Sequence, residues 1–255
     1  MKVLAILQAR MSSSRLPGKV MKPLLGKPMI WHQWQRIQRA KHINQLVLAT
    51  SIDESDNLLA DFFLDQGIDV FRGSLNDVLS RYYHCALQYR PEHIVRLTAD
   101  CPVADPTLID EIILTHLNEK NDYTSTDGLT HPLGLSAEIC RFEVLESAYQ
   151  QALLNSEREH VTLYIYQNSH QFKVKKIKNE INLSRFRWTV DHPEDFELIT
   201  RIYEALYPQN INFETKDILN LLEKNPDWVL LNAHIPANEG LEKSLKRDRI
   251  STKSS

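Results

Sequence analysis

The segment from Gln8 to Lys19 concentrates the groups that phosphate chemistry needs. It reads Gln8-Ala9-Arg10-Met11-Ser12-Ser13-Ser14-Arg15-Leu16-Pro17-Gly18-Lys19, with three cations and three consecutive hydroxyls. A triphosphate is held by backbone N–H groups, hydroxyl donors and cations that converge on it, and this segment offers all three. It lacks the GxxxxGK[ST] spacing of a Walker loop, so a phosphate site here follows another plan. A solvated polar loop would have the same composition, which alone leaves the two readings level. Two carboxylates are candidates for holding a hard cation beside phosphate oxygens. Asp100 closes an apolar run in Arg96-Leu97-Thr98-Ala99-Asp100-Cys101-Pro102, and Asp191 closes another in Trp188-Thr189-Val190-Asp191-His192-Pro193. Alone, an Asp-x-Pro reads as a turn or cap. Together, two strand-end aspartates can share one Mg²⁺ with a bound triphosphate.

Other residues carry weaker signals. Glu138 lies on an extended run after Gly134, and Glu159-His160 opens a helical stretch with Tyr164 one turn on. His160 by itself reads as a satisfied structural histidine. Asp195 falls in the first turn of a helix, where it caps the backbone and complements the dipole, and His192 reads as a loop residue. Arg72-Gly73, Asp77 and Arg81 surround a strand end and the next helix, and a helix-surface ion pair accounts for Asp77 and Arg81. Nothing around Cys101 in sequence would depress its thiol pKa, so it is not expected to be a nucleophile.

These residues need elements that bring them to one edge. Val3–Leu7 is a continuous apolar run, the pattern of a strand buried on both faces of a parallel sheet. Leu46–Ala49, Val70–Phe71 and Ile94–Leu97 have the same character. Helical patterns lie between them, over Met29–Ala40, Ser55–Gln66, Leu75–Tyr89 and Pro106–Asn118. The last has Asp105 as N-cap and Pro106 at the first helical position. Strands alternating with helices predict βαβ units, and in open α/β sheets ligands bind at the carboxyl ends of the strands. After Asn121 the pattern changes. Phe142–Leu154, Glu159–Tyr166 and Asp195–Leu206 read as helices, Phe172–Ile177 and Arg187–Val190 as strands. The chain shows no linker that would divide it, and the tail beyond Leu241 is polar and expected to be disordered.

The bulk numbers fit a soluble globular enzyme: 42% hydrophobic and 25% charged residues. A formal net charge of -3 gives no basic field to attract nucleic acid, so phosphate binding must rest on a local cluster. The cysteines Cys85, Cys101 and Cys140 are odd in number and widely spaced, which argues against a disulfide framework or a zinc site. The apolar run at the N-terminus is too short for a signal peptide, and no stretch of about 18 apolar residues could span a membrane. A cytoplasmic location without membrane or nucleic-acid partners is therefore expected.

The loop resembles the signature A-R-x-x-S-x-R-L-P-G-K of the acylneuraminate and 3-deoxy-manno-octulosonate cytidylyltransferases. The resemblance is strongest to the spore coat polysaccharide biosynthesis cytidylyltransferase-like branch. It continues through VFRGSLNDVLSRYY (Val70–Tyr83), RLTADCPVADP (Arg96–Pro106), Gly134–Glu138, EREHVT (Glu157–Thr162), TVDHPEDFEL (Thr189–Leu198) and Asn238-Glu239-Gly240, about nine-tenths of the chain. The family implies one α/β nucleotide-diphospho-sugar transferase domain, GT-A-like and Rossmann-like, with a mixed, mainly parallel sheet and helices on both faces. That domain is expected over 1–240 with an acceptor-side insertion at about 121–185, leaving 241–255 as the polar tail. The family also implies CTP, Mg²⁺, a sugar acceptor, transfer of CMP with release of pyrophosphate, and a homodimer. By that likeness Arg10, Arg15 and Lys19 hold the triphosphate, with Gln8, Ala9, Met11, Ser12, Ser13, Ser14, Arg72 and Thr98 completing the nucleotide site. Lys19, Arg10 and Asp100 are the expected catalytic groups, Asp100 and Asp191 the metal ligands, and Glu138 and His160 the acceptor contacts. The chain departs from its relatives at Ser12, often Gly; at Cys101, an acid in the octulosonate enzymes; and at His131-Pro132-Leu133, a more polar segment in the branch. A glycosyltransferase of the same fold, or a non-catalytic partner of a biosynthetic complex, are the alternatives. The first usually carries an Asp-x-Asp on a strand end that is missing here, and the retained loop cations and both aspartates argue against the second.

Overall fold

The structure is a computed structural model that describes residues 2–251. Its first strand, β1 (Val3–Gln8), is buried on both faces as its unbroken apolar run predicts. Val3, Ala5 and Leu7 join one core cluster, and Leu4 and Ile6 join another on the opposite face. Fully burying one such aliphatic side chain is worth about 1.5–3 kcal/mol, so this alternation locks the strand at the centre of the sheet.

The other sheet strands are β2 (Gln45–Ser51), β3 (Val70–Gly73), β4 (His93–Thr98), β5 (Tyr123–Thr126), β6 (Glu138–Arg141) and β7 (Val174–Ile177). Their order is β3-β2-β1-β4-β6-β5-β7. All run parallel except β6, which pairs antiparallel with both β4 and β5. Helices α1 (Met29–Ile37), α2 (Asn57–Leu64) and α4 (Pro106–Glu119) cover one face through Ile30, Trp34, Leu59, Phe63, Ile109 and Ile112. Helices α3 (Val78–Tyr89), α5 (Phe142–Gln151) and α7 (Leu163–Gln167) cover the other. Between the last two lies the short helix α6 (Asn155–Glu159). A third apolar cluster joins Phe186, Trp188 and Val190 to α8 (Pro193–Leu206) and α9 (Thr215–Lys224). The chain then passes through α10 (Pro226–Val229) to α11 (Glu239–Ser251). Asp105 caps α4 as read from the sequence, accepting from the N–H groups of Thr107 and Leu108.

Several expectations are corrected. Arg187–Val190 is extended but belongs to no sheet, because its N–H groups bond to loops. Trp188 N donates to Leu133 O and Val190 N to Asp100 O. The helix expected over Glu159–Tyr166 is broken into α6 and α7 at Val161, whose φ of 52° is left-handed. Arg81 is not in a surface pair with Asp77. It is 1% exposed, and its guanidinium nitrogens have no hydrogen-bond partner among the described residues, while Asp77 pairs with Arg158 across 2.5–3.0 Å. The tail expected to be disordered from residue 241 is helical through Ser251, because Ser244 and Asp248 give it a buried face on α6. Residues 252–255 lie outside the described residues. The strand Tyr123–Thr126 and the helix Thr215–Lys224 were not evident from the sequence pattern.

Candidate active site

The loop after β1 is shaped by bonds to its own backbone and to one buried acid. Gly18, with φ 69°, donates its N–H to Met11 O and closes the turn. Asp56 is fully buried; its Oδ1 accepts from Met11 N at 2.7 Å and its Oδ2 from Thr50 Oγ1 and Ser51 N. A buried carboxylate is tolerated only when its lone pairs are occupied, and here the bonds that satisfy it tie the loop to the end of β2. No local sequence pattern singles out Asp56, because the groups that satisfy it come from Met11 and the end of β2.

The loop faces a cleft of about 740 Å³ at the carboxyl ends of β1 and β4. Gln8, Ala9, Arg10, Ser13, Ser14, Arg15, Lys19, Thr98, Asp100, His160 and Asp191 all line it. Three residues expected in the nucleotide site do not. Met11 packs into the first core cluster, and exposed Ser12 lines neither cavity. Arg72 spends its guanidinium on the carbonyls of Ser51 and Asp53, so it braces the loop after β2 instead.

Asp100 and Asp191 meet at Lys19. Lys19 Nζ donates to Val190 O at 2.7 Å and to Asp191 Oδ1 at 2.9 Å, and lies 3.6 Å from Asp100 Oδ2. Arg15 Nη2 is 2.6 Å from Asp191 Oδ1. Burial pushes the Asp191 carboxyl up, but Lys19 and Arg15 outweigh it and hold the group down at about 2. The two aspartate loops are also joined through the backbone, since Asp100 O accepts from Val190 N and from Thr189 Oγ1. Behind Asp191 sits Asp195, which is 0% exposed. It accepts from the N–H groups of Asp191 and His192, from Arg187 and from Asn232 Nδ2. The capping role read for Asp195 is thus part of a larger network that fixes the Asp191 turn. The Cys101 thiol is pushed well up by burial and by the Asp100 charge, which agrees with its exclusion as a nucleophile.

A second cavity of about 290 Å³ adjoins the first and shares Arg15, Arg96, Thr98, Asp100, His160 and Asp191 with it. Glu138 is on its wall, where Oε2 accepts from Arg96 Nη1 at 3.1 Å and from Thr162 Oγ1 at 2.7 Å. His160 Nε2 lies 3.1 Å from Ser244 Oγ, and burial lowers its pKa. Among the described residues no group of three or more His, Cys, Asp or Glu side chains is gathered to hold a metal ion by itself. No helix among them is long and apolar enough to cross a membrane.

A doubly covered, mainly parallel sheet with a cationic loop and two carboxylates at its ligand-binding edge defines a phosphate-handling α/β transferase. The comparisons with known proteins narrow that class. The family model described as "Cytidylyltransferase" matches residues 4–233, and the chain belongs to that family of nucleotidyltransferases. The spore coat polysaccharide biosynthesis protein SpsF of Bacillus subtilis is 35% identical over 232 residues, covering 88% of this chain and 95% of its own. The solved structure of a cytidylyltransferase from Leptospira borgpetersenii has a TM-score of 0.85 at 31% identity, covering 90% of this chain and 97% of its own. CMP:2-keto-3-deoxy-manno-octonic acid synthetase, solved in complex with CTP, shares the fold, with a TM-score of 0.62 at 15% identity, covering 80% and 99%.

Proposed function

We propose that the protein transfers CMP from CTP to a hydroxyl of a sugar acceptor and releases pyrophosphate, in the biosynthesis of a surface glycan. The observation that carries this reading is the joining of two cavities at one pair of aspartates, with the cationic loop on the larger and Glu138 on the smaller. The larger cavity takes the triphosphate on Arg10, Arg15, Lys19 and the hydroxyls of Ser13 and Ser14. The smaller takes the acceptor, with Glu138 accepting from its hydroxyls and His160 at the boundary. The acceptor oxygen attacks the α-phosphorus in line, the bond to the bridging oxygen breaks, and the hydroxyl proton is released to water. Phosphoryl-type transfers of this kind need positioning and charge stabilisation more than covalent help.

The donor set fits Mg²⁺. That ion is commonly held by one or two carboxylates, with phosphate oxygens and water completing its shell. Asp100 and Asp191 are two such carboxylates, close enough for one lysine to lie within 4 Å of both. The ion would neutralise charge developing on the phosphate oxygens. Lys19, which lies against both acids, is the group that a triphosphate would draw toward its own oxygens.

The test is a pyrophosphate-release screen of the four ribonucleoside triphosphates against keto-sugar acids and sugar phosphates, with and without Mg²⁺. CTP with one acceptor class should release pyrophosphate and the other nucleotides should not. Release that ignores the base, or turnover of a nucleotide sugar in place of CTP, overturns the reading.

A further inference from the structure

The C-terminal helix α11 carries Lys243 and Arg247 into the larger cleft. Its setting is fixed from the other side. Ser244 Oγ donates to Glu159 Oε2 at 2.7 Å, and Asp248 Oδ2 accepts from Ser156 N at 3.2 Å. Both residues are buried against α6. Ser244 and Asp248 are four residues apart and so share a helix face. The residues one step earlier, Lys243 and Arg247, form a second i,i+4 pair, and that pair lines the cleft.

The cations of the cleft fall into two groups. Arg15 and Lys19 are paired with Asp191, Arg96 with Glu138, and Arg158 with Asp77. The side chains of Arg10, Lys243 and Arg247 make no hydrogen bond or ion pair with any described residue; Lys243 feels Glu239 only through its field. Three uncommitted cations around one cavity call for a ligand with several negative charges. Lys243 and Arg247 line the cavity of the β1 loop and not the smaller cavity of Glu138. Their anion is therefore on the nucleotide side.

We infer that α11 is a working part of the nucleotide site, with Lys243 and Arg247 binding the β- and γ-phosphates that leave as pyrophosphate. This rests on the nucleotidyl-transfer reading above. The two side chains are exposed and unpartnered, so removing them leaves the fold intact. Their contribution is felt only when the outer phosphates are present, and it is charge-assisted.

The experiment is calorimetric titration of the full chain and its Lys243→Ala/Arg247→Ala double variant with CTP, CMP and inorganic tripolyphosphate. The double variant should bind CTP and tripolyphosphate about 10- to 100-fold more weakly. CMP, which has only the α-phosphate, should bind within about 2-fold of the unaltered protein, and Lys243→Arg should keep most of the CTP affinity. Unchanged CTP affinity in the double variant overturns the inference, as does an equal loss for CMP. A raised acceptor KM at unchanged CTP affinity overturns it too and moves the pair to the acceptor. If the unaltered protein binds tripolyphosphate but not CTP, the cytidylyl reading fails, and tripolyphosphate binding by the double variant still decides the role of α11. If it binds neither, both fall.

Discussion

Lys19 is the residue on which the site turns. Nine per cent exposed, it is held by Val190 O and Asp191 and lies close to Asp100. Lys19→Ala removes a charge-assisted contact worth on the order of 1.5–3 kcal/mol. CTP affinity or turnover should fall about 10- to 100-fold, while circular dichroism still reports a folded protein. Loss of folded protein with no change in nucleotide affinity would mean that the lysine serves only to neutralise two half-buried acids. Asp191, held down at about 2 by Lys19 and Arg15, carries the converse argument. Its folded value lies below the ordinary carboxylate value, so its stabilising charge is fully present above about pH 4 and is lost as pH falls toward 2. At neutral pH the ion-pair cluster is therefore intact. Glu138 lines the smaller cavity, the one that the proposed function gives to the acceptor. Glu138→Gln keeps the shape and weakens the acceptance of hydrogen bonds from Arg96, Thr162 and any acceptor hydroxyl. Kinetics at saturating CTP should show a raised acceptor KM with CTP binding nearly unchanged; equal damage to both would remove Glu138 from the acceptor side.

At the scale of elements, close packing of the loops around the site is the feature a substitution can probe. Gly134 has φ 109°, and a Cβ there would lie 2.4 Å from Thr189 N and 2.5 Å from Trp188 C. No side chain can yield, because both atoms are backbone. Gly134→Ala must push the Arg187–Val190 segment away from Leu133 and with it the turn that carries Asp191. Chemical denaturation should show a loss of several kcal/mol, about 3 or more; a variant as stable as the parent would refute the tight contact. The sequence made the neighbouring loops legible for a local reason. The β1 loop, Asp100 and Asp191 each follow a short apolar run; the first two runs are the sheet strands β1 and β4, and the third is extended outside any sheet, so the end of an extended apolar run is the positional signal. What was not legible depends on distant partners. Arg158 meets Asp77 across 81 positions, and Ser244 meets Glu159 across 85. No pattern within α11 announces a buried face, because only two small polar residues make it. Arg81 read as a surface charge for the same reason: helical spacing places it beside Asp77, and only the packing of α3 on the sheet shows it buried. The antiparallel β6, wedged between β4 and β5, sets Glu138 beside Arg96, a register that no local pattern contains. The pair His93 and His116 joins β4 to α4 in the same hidden way, with Nδ1 of the first 3.1 Å from Nε2 of the second. Burial, with His93's charge added, lowers His116 to about 4, so the neutral form is the stable one. Its contribution is complete above about pH 6.5 and is lost as pH falls toward 4. A thermal-midpoint scan should decline over that window, and His116→Gln should flatten the decline; parallel curves for the two proteins would clear the histidine of a role.

The whole molecule is mildly acidic, with a formal net charge of -3, yet one cleft gathers Arg10, Arg15, Lys19, Arg96, Arg158, Lys243 and Arg247. Long-range attraction is therefore weak, and any anion is recognised by the local cluster alone. Recognition also reaches most of the fold, because the cleft is built from the β1 loop, β4, the start of α3, α6, the Asp191 turn and α11. A ligand seated there touches elements that pack on both faces of the sheet and binds the native state while leaving the unfolded chain untouched. Mass action then stabilises the protein by about 2.7 kcal/mol when free ligand is at one hundred times its Kd. For a chain of this length each kcal/mol raises the midpoint by about 2–4 °C, which puts the shift at roughly 5–10 °C. Differential scanning fluorimetry with Mg²⁺ should give that rise with CTP, and smaller rises with ATP, GTP and UTP at the same concentration. Equal rises with all four would locate the recognition in the phosphates and leave the base unread. No rise with any of them would remove the nucleotide from the cleft altogether.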